Sequence, residues 1–199
     1  MHHEKPYAPA CDQNKAPILA VLRRHLPAQG TLLEIGSGTG QHAVHFAAAF
    51  PRLTWITSDL PEHHPGIRAW LDEAGLPNLR GPLALDVKHA DWPIGAFDAV
   101  FSANTAHIMD WPSVESLFRG VSRSLRRGGV FCLYGPFHYG GRPSAESNAR
   151  FDAWLRARDP ASGVRNFEDL DALAEAGGLR LREDVPMPAD NRTLVWTRP

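Results

Sequence analysis

Five short apolar runs separated by helical stretches, then two strand-like runs only six residues apart, constrain this 199-residue chain more than any other feature. Thr31–Ile35 reads as a short buried strand, followed by a glycine-rich turn and the helical run Gln41–Phe50. Leu53–Ser58 is the next strand. Ile67, Trp70, Leu71 and Ala74 then recur at helical spacing until Gly75 and Pro77 stop the helix. Leu83–Val87 and Phe97–Ala103 read as further strands. Val114, Leu117, Phe118, Val121 and Leu125 form an apolar stripe ending at Gly128-Gly129, and Val130–Tyr134 is the fifth strand. Such alternation predicts a parallel sheet covered on both faces, the doubly wound α/β plan. Helical segments at about Ala145–Arg158 and Asp169–Ala176 precede Leu179–Val185 and Arg192–Thr197. The connection between those last two strands is too short for a crossover, so they must pair antiparallel. The expected fold is one α/β domain: a doubly wound, mostly parallel seven-stranded sheet closed by a C-terminal antiparallel hairpin. Between Val87 and Phe97 there is little room for a crossover helix, so a short turn is expected around Trp92-Pro93.

Composition narrows the function classes. With 21 basic and 22 acidic side chains the net charge is -1, which offers no broad basic field for nucleic acid or a membrane surface. No run is long and apolar enough for a membrane span, and the first residues lack the apolar core of a secretion signal. A cytoplasmic protein is expected, monomer or homodimer. Cys11 and Cys132 make no disulfide framework or zinc ribbon. His42 and His45 share a helix face and His63-His64 are adjacent. No His-Glu-x-x-His or cysteine-histidine cluster completes a site, so no metal is expected.

The segment Glu34-Ile35-Gly36-Ser37-Gly38-Thr39-Gly40 follows the first strand and opens a helix. Glycines there let backbone turn tightly and approach a ligand at the carboxyl end of the sheet. Asp59 stands 19 residues after Gly40 at the end of the second strand, where a carboxylate can accept ribose hydroxyls, or can simply serve the turn before Pro61. Asp86, at the end of the third strand, is placed for an adenine amino group or for a turn. No P-loop motif exists, which excludes that triphosphate site. Gly38, Gly40 and Ala43 also fit the dinucleotide pattern, so an NAD-dependent oxidoreductase is an alternative. The Tyr-x-x-x-Lys pair of such enzymes is missing at Tyr134 and Tyr139.

Here the chain resembles the class I S-adenosylmethionine-dependent methyltransferases. Their acid-x-Gly-x-Gly-x-Gly motif is matched by Glu34, Gly36, Gly38 and Gly40, and their sheet ends in an antiparallel strand. A closer resemblance, over nearly the whole chain, is to the small methyltransferase-like protein 26 family. It rests on Leu33–His45, Asn104–Trp111, Leu133–Phe137, Glu146–Asp159 and Met187–Asn191. The resemblance implies a methyltransferase fold binding S-adenosylmethionine, with residues 1–27 as an N-terminal lid or helix segment. Residues 28–135 would be the cofactor core and 136–199 the substrate-side helices and hairpin. Cofactor contacts are then expected from Glu34, Gly36, Ser37, Gly38, Gly40, Asp59, Leu60, Asp86, Val87 and Asn104, the last beside the methionine end.

Methyl transfer to a small-molecule acceptor requires positioning and, for a protonated acceptor, a base. Candidates are His107, whose ordinary pKa suits neutral pH, together with Tyr134 and His138. A histidine bordering the next helix is the alternative reading of His107, and a core tyrosine that of Tyr134. Substrate contacts are sought at Phe137, at Asn148 and Asp152 one turn apart, at Arg158 and Arg165 for an anion, and at Asn191 in the hairpin loop. Phe151, Trp154 and Leu155 read as core, and Ser144 as a helix N-cap. A protein that binds the cofactor without catalysis is the remaining alternative.

Overall fold

The structure is a computed structural model that describes residues 5–89, 92 and 97–199. Five strands run parallel: Gly30–Ile35 (β1), Leu53–Asp59 (β2), Leu79–Ala84 (β3), Phe97–Ala103 (β4) and Leu125–Gly135 (β5). Phe137–His138 (β6) and Arg165–Asn166 (β7) form a separate two-stranded parallel pair. Arg180–Pro186 (β8) and Arg192–Thr197 (β9) are the terminal hairpin, and β9 inserts antiparallel between β5 and β8. The main sheet has seven strands in the order β3-β2-β1-β4-β5-β9-β8, so strand order reverses between β1 and β4. That reversal opens the crevice in which open α/β sheets bind ligands.

The helices are Pro9–His25 (α1), Gln41–Ala49 (α2), His64–Ala74 (α3), Trp111–Ser124 (α4), Glu146–Arg158 (α5) and Phe167–Ala176 (α6). Leu32 and Leu33 point to opposite faces of β1 and both are fully buried, which requires cover on both sides. On one face α1 and α2 pack over Phe46, Trp55 and Phe101; the Phe46 and Phe101 rings meet edge-on at 5.4 Å. On the other, α4 and α6 cover Phe118, Phe131 and Trp196, where Phe131 stacks on Trp196 at 5.5 Å. Aromatic contacts of this kind add about 0.5–1.5 kcal/mol each beyond burial.

Several boundaries differ from the sequence reading for identifiable reasons. The third strand lies at Leu79–Ala84, not Leu83–Val87, and so contains Gly81-Pro82. It is an edge strand paired only with β2, where a residue lacking an N–H is tolerated. Asp86 consequently sits two residues beyond the strand. Leu125, read as the last residue of a helical stripe, instead opens β5 opposite Phe97, with Arg126–Gly129 bulging before Val130 resumes the register. The turn expected around Trp92-Pro93 falls largely outside the described residues, although Trp92 itself is buried against Gly120 of α4.

Helix α5 departs most. Leu155 is buried, but Trp154 is 50% exposed and Phe151 only partly covered, so these two rings are not core. They stack on each other at 5.8 Å, Phe151 on the inner side and Trp154 outward, and Arg158 lies over Trp154 at 4.5 Å. The N-cap of α5 is Ala145 with no side-chain cap bond, and Ser144 Oγ instead accepts from Asn148 Nδ2 at 2.7 Å. Among the described residues, no helix is long and apolar enough to cross a membrane.

Candidate functional site

A cavity of about 580 Å³ opens at the carboxyl ends of β1, β2 and β4, on the crevice set by the strand reversal. Its floor is the turn between β1 and α2. Gly36, Gly38 and Gly40 all have φ between 58° and 92°. A Cβ on Gly36 would stand 2.5 Å from Thr105 Cγ2, so that glycine admits the loop after β4. A Cβ on Gly38 would meet nothing within 4 Å, so that backbone is bare toward the cavity.

The three acids hold different posts. Glu34 is buried beneath the turn, outside the cavity lining, and its Oε2 accepts from Trp55 Nε1 at 3.0 Å and Ser37 Oγ at 3.1 Å. Burial drives its pKa up to about 7 against the opposing pull of those two donors; the charge of Asp59 adds to the rise. Asp59 lines the cavity. Its Oδ2 accepts from Gly38 N at 2.7 Å, and its Oδ1 accepts from Leu60 N at 2.8 Å and pairs with His63 Nδ1 at 2.7 Å. That carboxylate therefore ties the glycine turn to the turn after β2 and still has lone-pair capacity. Asp86 also lines the cavity, its Oδ1 accepting from Lys88 N at 2.9 Å. Lys88 Nζ crosses the rim to Asp110 Oδ2 at 3.0 Å.

Of the expected cofactor contacts, Gly36, Ser37, Gly38, Asp59, Leu60, Asp86, Val87 and Asn104 line this one cavity, whereas Glu34 and Gly40 support it from outside. Asn104 has φ 58°, a left-handed conformation that asparagine tolerates better than most residues, and its N–H donates to Tyr134 O at 2.9 Å.

The expected catalytic and substrate residues are more dispersed. His107, Tyr134 and His138 are not in the cavity lining. His107 is buried edge-on to Phe151 at 5.2 Å, and burial, with Arg165 nearby, takes its pKa down to about 4. Tyr134 is buried beneath α1, and desolvation raises its phenol pKa against a hydrogen bond with Asn14. His138 Nδ1 is buried and unpartnered; burial lowers its pKa while the charge of Asp152 opposes the shift. Phe137 is fully packed in the core, so it offers no open wall. Asn148 is buried and donates to Asp190 O at 2.9 Å, pinning α5 to the hairpin loop. Asp152 accepts from Val164 N at 2.7 Å and pairs with Arg156 at 2.9 Å. Asn191 serves its own turn, donating to Ala189 O at 3.0 Å, and borders a shallow second pocket with Tyr139, Ser144 and Arg192.

Arg165 is not free for an anion. Its Nε donates to Ala106 O at 3.1 Å and its Nη2 to Met109 O and to Ala161 O, the last at 2.9 Å. It therefore holds the loop after β4, of which Thr105, Ile108 and Met109 line the cavity. Arg165→Ala is expected to cost about 2 kcal/mol by leaving these carbonyls without a charged donor. Urea unfolding checks this, and a change below about 0.5 kcal/mol would remove the arginine from that role.

Sequence reasoning missed Ala8, Ala10 and Cys11, which form one wall of the cavity, and Thr39 and His42, which face it from the start of α2. Their approach depends on contacts between residues far apart in the chain, for which no local pattern exists. Comparison with known proteins places the architecture. An O-methyltransferase family protein from Burkholderia thailandensis is 16% identical, with a TM-score of 0.81 over 92% of this chain and 56% of its own. The S-adenosylmethionine-dependent methyltransferase SibL is 21% identical, with a TM-score of 0.79 over 96% of this chain and 56% of its own. An O-methyltransferase family 2 protein from Planctomyces limnophilus, solved in complex with apigenin, is 17% identical, with a TM-score of 0.80 over 94% and 56%. The chain thus spans little more than half the length of these structures, and at such identities it shares their fold. A family model described as "Protein of unknown function (DUF938)" matches residues 5–198, and with nearly its whole length covered the chain belongs to that family.

Proposed function

We propose that the chain is an S-adenosylmethionine-dependent methyltransferase acting on a small, uncharged acceptor, and that it is akin to methyltransferase-like protein 26. The observation that carries this reading is one cavity lined by a bare glycine turn and two carboxylates, Asp59 at the end of β2 and Asp86 two residues beyond β3. Gly38 leaves open space where an adenosyl group needs backbone approach, and Asp59 offers a nearly buried anion to ribose hydroxyls. Ser37 and Asn104 would hold the methionine end, with Leu60, Asp86 and Val87 around the base. When bound, this cofactor supplies an electrophilic methyl group on a sulfonium.

The acceptor side would be the loop Asn104–Met109, the strand ends at Tyr134–His138 and helix α5. Its charged side chains are largely matched within the chain: Arg156 with Asp152, Arg192 with Asp184, and Arg165 with loop carbonyls. That internal matching favours a neutral acceptor. His138 is the better proton acceptor of the candidates, because it is less enclosed than His107 and the charge of Asp152 opposes the lowering of its pKa by burial, whereas burial takes His107 down to about 4. Tyr134 and Phe137 would back the acceptor region from the core, while Asn148, Asp152 and Asn191 would set the position of α5 and the hairpin beside it, with Arg158 exposed over Trp154 at the end of that helix.

Calorimetry with S-adenosylmethionine and S-adenosylhomocysteine tests the cofactor assignment, with saturable 1:1 binding expected. No saturable heat with either compound would reject it. Transfer of labelled methyl to a panel of neutral phenols, thiols and amines tests catalysis, and binding without transfer to any member would point to a non-catalytic role.

A further inference from the structure

Asp59 faces the cavity with both carboxylate oxygens already engaged by the chain itself. An ionised carboxylate has about four lone-pair sites, two on each oxygen. Gly38 N takes one on Oδ2 at 2.7 Å. Leu60 N takes one on Oδ1 at 2.8 Å, and His63 Nδ1 takes the other at 2.7 Å. Among the described residues, that leaves one site, on Oδ2. A ribose diol gripped by the whole carboxylate needs one on each oxygen. The three donors differ in what they do. The two amides alone fix both oxygens, and they belong to the backbone. The turn that carries His63 is also held without its ring: His63 N donates to Leu60 O at 3.0 Å, and His64 Nε2 donates to Asp59 O at 3.0 Å. The His63 side chain is 51% exposed against 9% for that of Asp59, and its ring lines the cavity. It can turn about its own side-chain bonds with the backbone in place. A pair so exposed contributes little to folding.

We propose that the His63 ring competes with the cofactor ribose for Asp59 Oδ1, and so sets the affinity for adenosyl compounds below what that carboxylate alone would give. The second hydroxyl reaches Oδ1 only by displacing the ring. The ring returns as the ribose leaves, so neither state strands the buried oxygen. His63 is thus an affinity-setting residue of the cavity, not a support of its shape. This inference rests on the cofactor assignment above.

Isothermal titration of S-adenosylhomocysteine into the full chain tests this. His63→Ala frees Oδ1 and is expected to tighten binding about three- to tenfold, the effect of one hydrogen bond. His63→Asn keeps an N–H donor near the place of Nδ1, so its affinity is expected within about twofold of the unaltered chain. The gain must also pass through the carboxylate. In an Asp59→Ala background, His63→Ala is therefore expected to change affinity by less than about twofold. Tightening by His63→Ala that is absent both from His63→Asn and from the Asp59→Ala background supports the proposal. Unchanged or weaker binding by His63→Ala overturns it, because the ring would then support the carboxylate. Equal tightening in His63→Asn, or a gain that persists without Asp59, overturns it too, since the ring would only be filling space. In each of these cases the cofactor reading stands. If the unaltered chain shows no saturable binding of S-adenosylhomocysteine, the cofactor reading fails, and the competition fails with it.

Discussion

Asp59→Ala is expected to weaken S-adenosylhomocysteine binding by about 10–150-fold, the free energy of one charge-assisted hydrogen-bonded contact. The size follows from the two tasks of this carboxylate. It ends β2 with 8% exposure, so an interaction there is only weakly screened. It also accepts from Gly38 N at 2.7 Å and Leu60 N at 2.8 Å, holding both turns in the shape of the cavity. Alanine removes the anion and frees the Gly38 amide together. Asp59→Asn does not restore the site, because an amide that turns its oxygen to Gly38 N presents its own N–H₂ to Leu60 N. Asp86→Ala provides the contrast. Asp86 is half-buried and, among the described residues, its carboxylate accepts only from its own turn, so a loss nearer tenfold is expected. Isothermal titration of the three variants measures the order. An Asp59→Ala affinity within twofold of the unaltered chain would remove this residue from the site.

The legible and illegible parts of the molecule divide by the range of the interactions that specify them. Phe97–Ala103 and Arg192–Thr197 occur as strands at the boundaries read from sequence, because both are buried apolar runs bounded by polar or turn residues. The glycine turn was equally visible, since Glu34 and the three glycines lie within seven consecutive positions, and so was the antiparallel hairpin, from the length of its connection. Leu79–Ala84 was displaced because proline argues against a strand unless the strand is known to lie at an edge, and edge position is a property of the whole sheet. Trp154 was misread because helical spacing cannot say whether a stripe meets a core or solvent. Arg165 looked like a free anchor until the fold put Ala106 and Met109 within reach of its guanidinium. The first 27 residues were expected as a lid or helix segment, but the bond from Ala8 N to Gln41 was not legible for the same reason: the two are 33 positions apart, and nothing in either segment names the other.

Glu34 supplies the largest pH effect expected of the fold. Its carboxyl is fully enclosed beneath the glycine turn, and burial raises its pKa from 4.5 to about 7 despite the donors Trp55 Nε1 and Ser37 Oγ. Between those two values the folded chain keeps a proton that the unfolded chain has released. Stability from this group is therefore complete below about pH 4.5 and is lost progressively as pH rises toward and through 7. A separation of about 2.5 pH units corresponds to at most ~3.4 kcal/mol. Glu34→Gln keeps an oxygen for the two donors but carries no charge at any pH. Relative to the unaltered chain, it is expected to lie within about 1 kcal/mol near pH 5 and to be more stable by about 2–3 kcal/mol at pH 8. Urea unfolding at half-unit steps from pH 5 to 8 isolates the effect, because the histidines titrate alike in both proteins and cancel in the difference. Parallel profiles for the two chains would mean that the carboxylate is accommodated as an anion, and that the turn above it is held by charge and not by a buried proton.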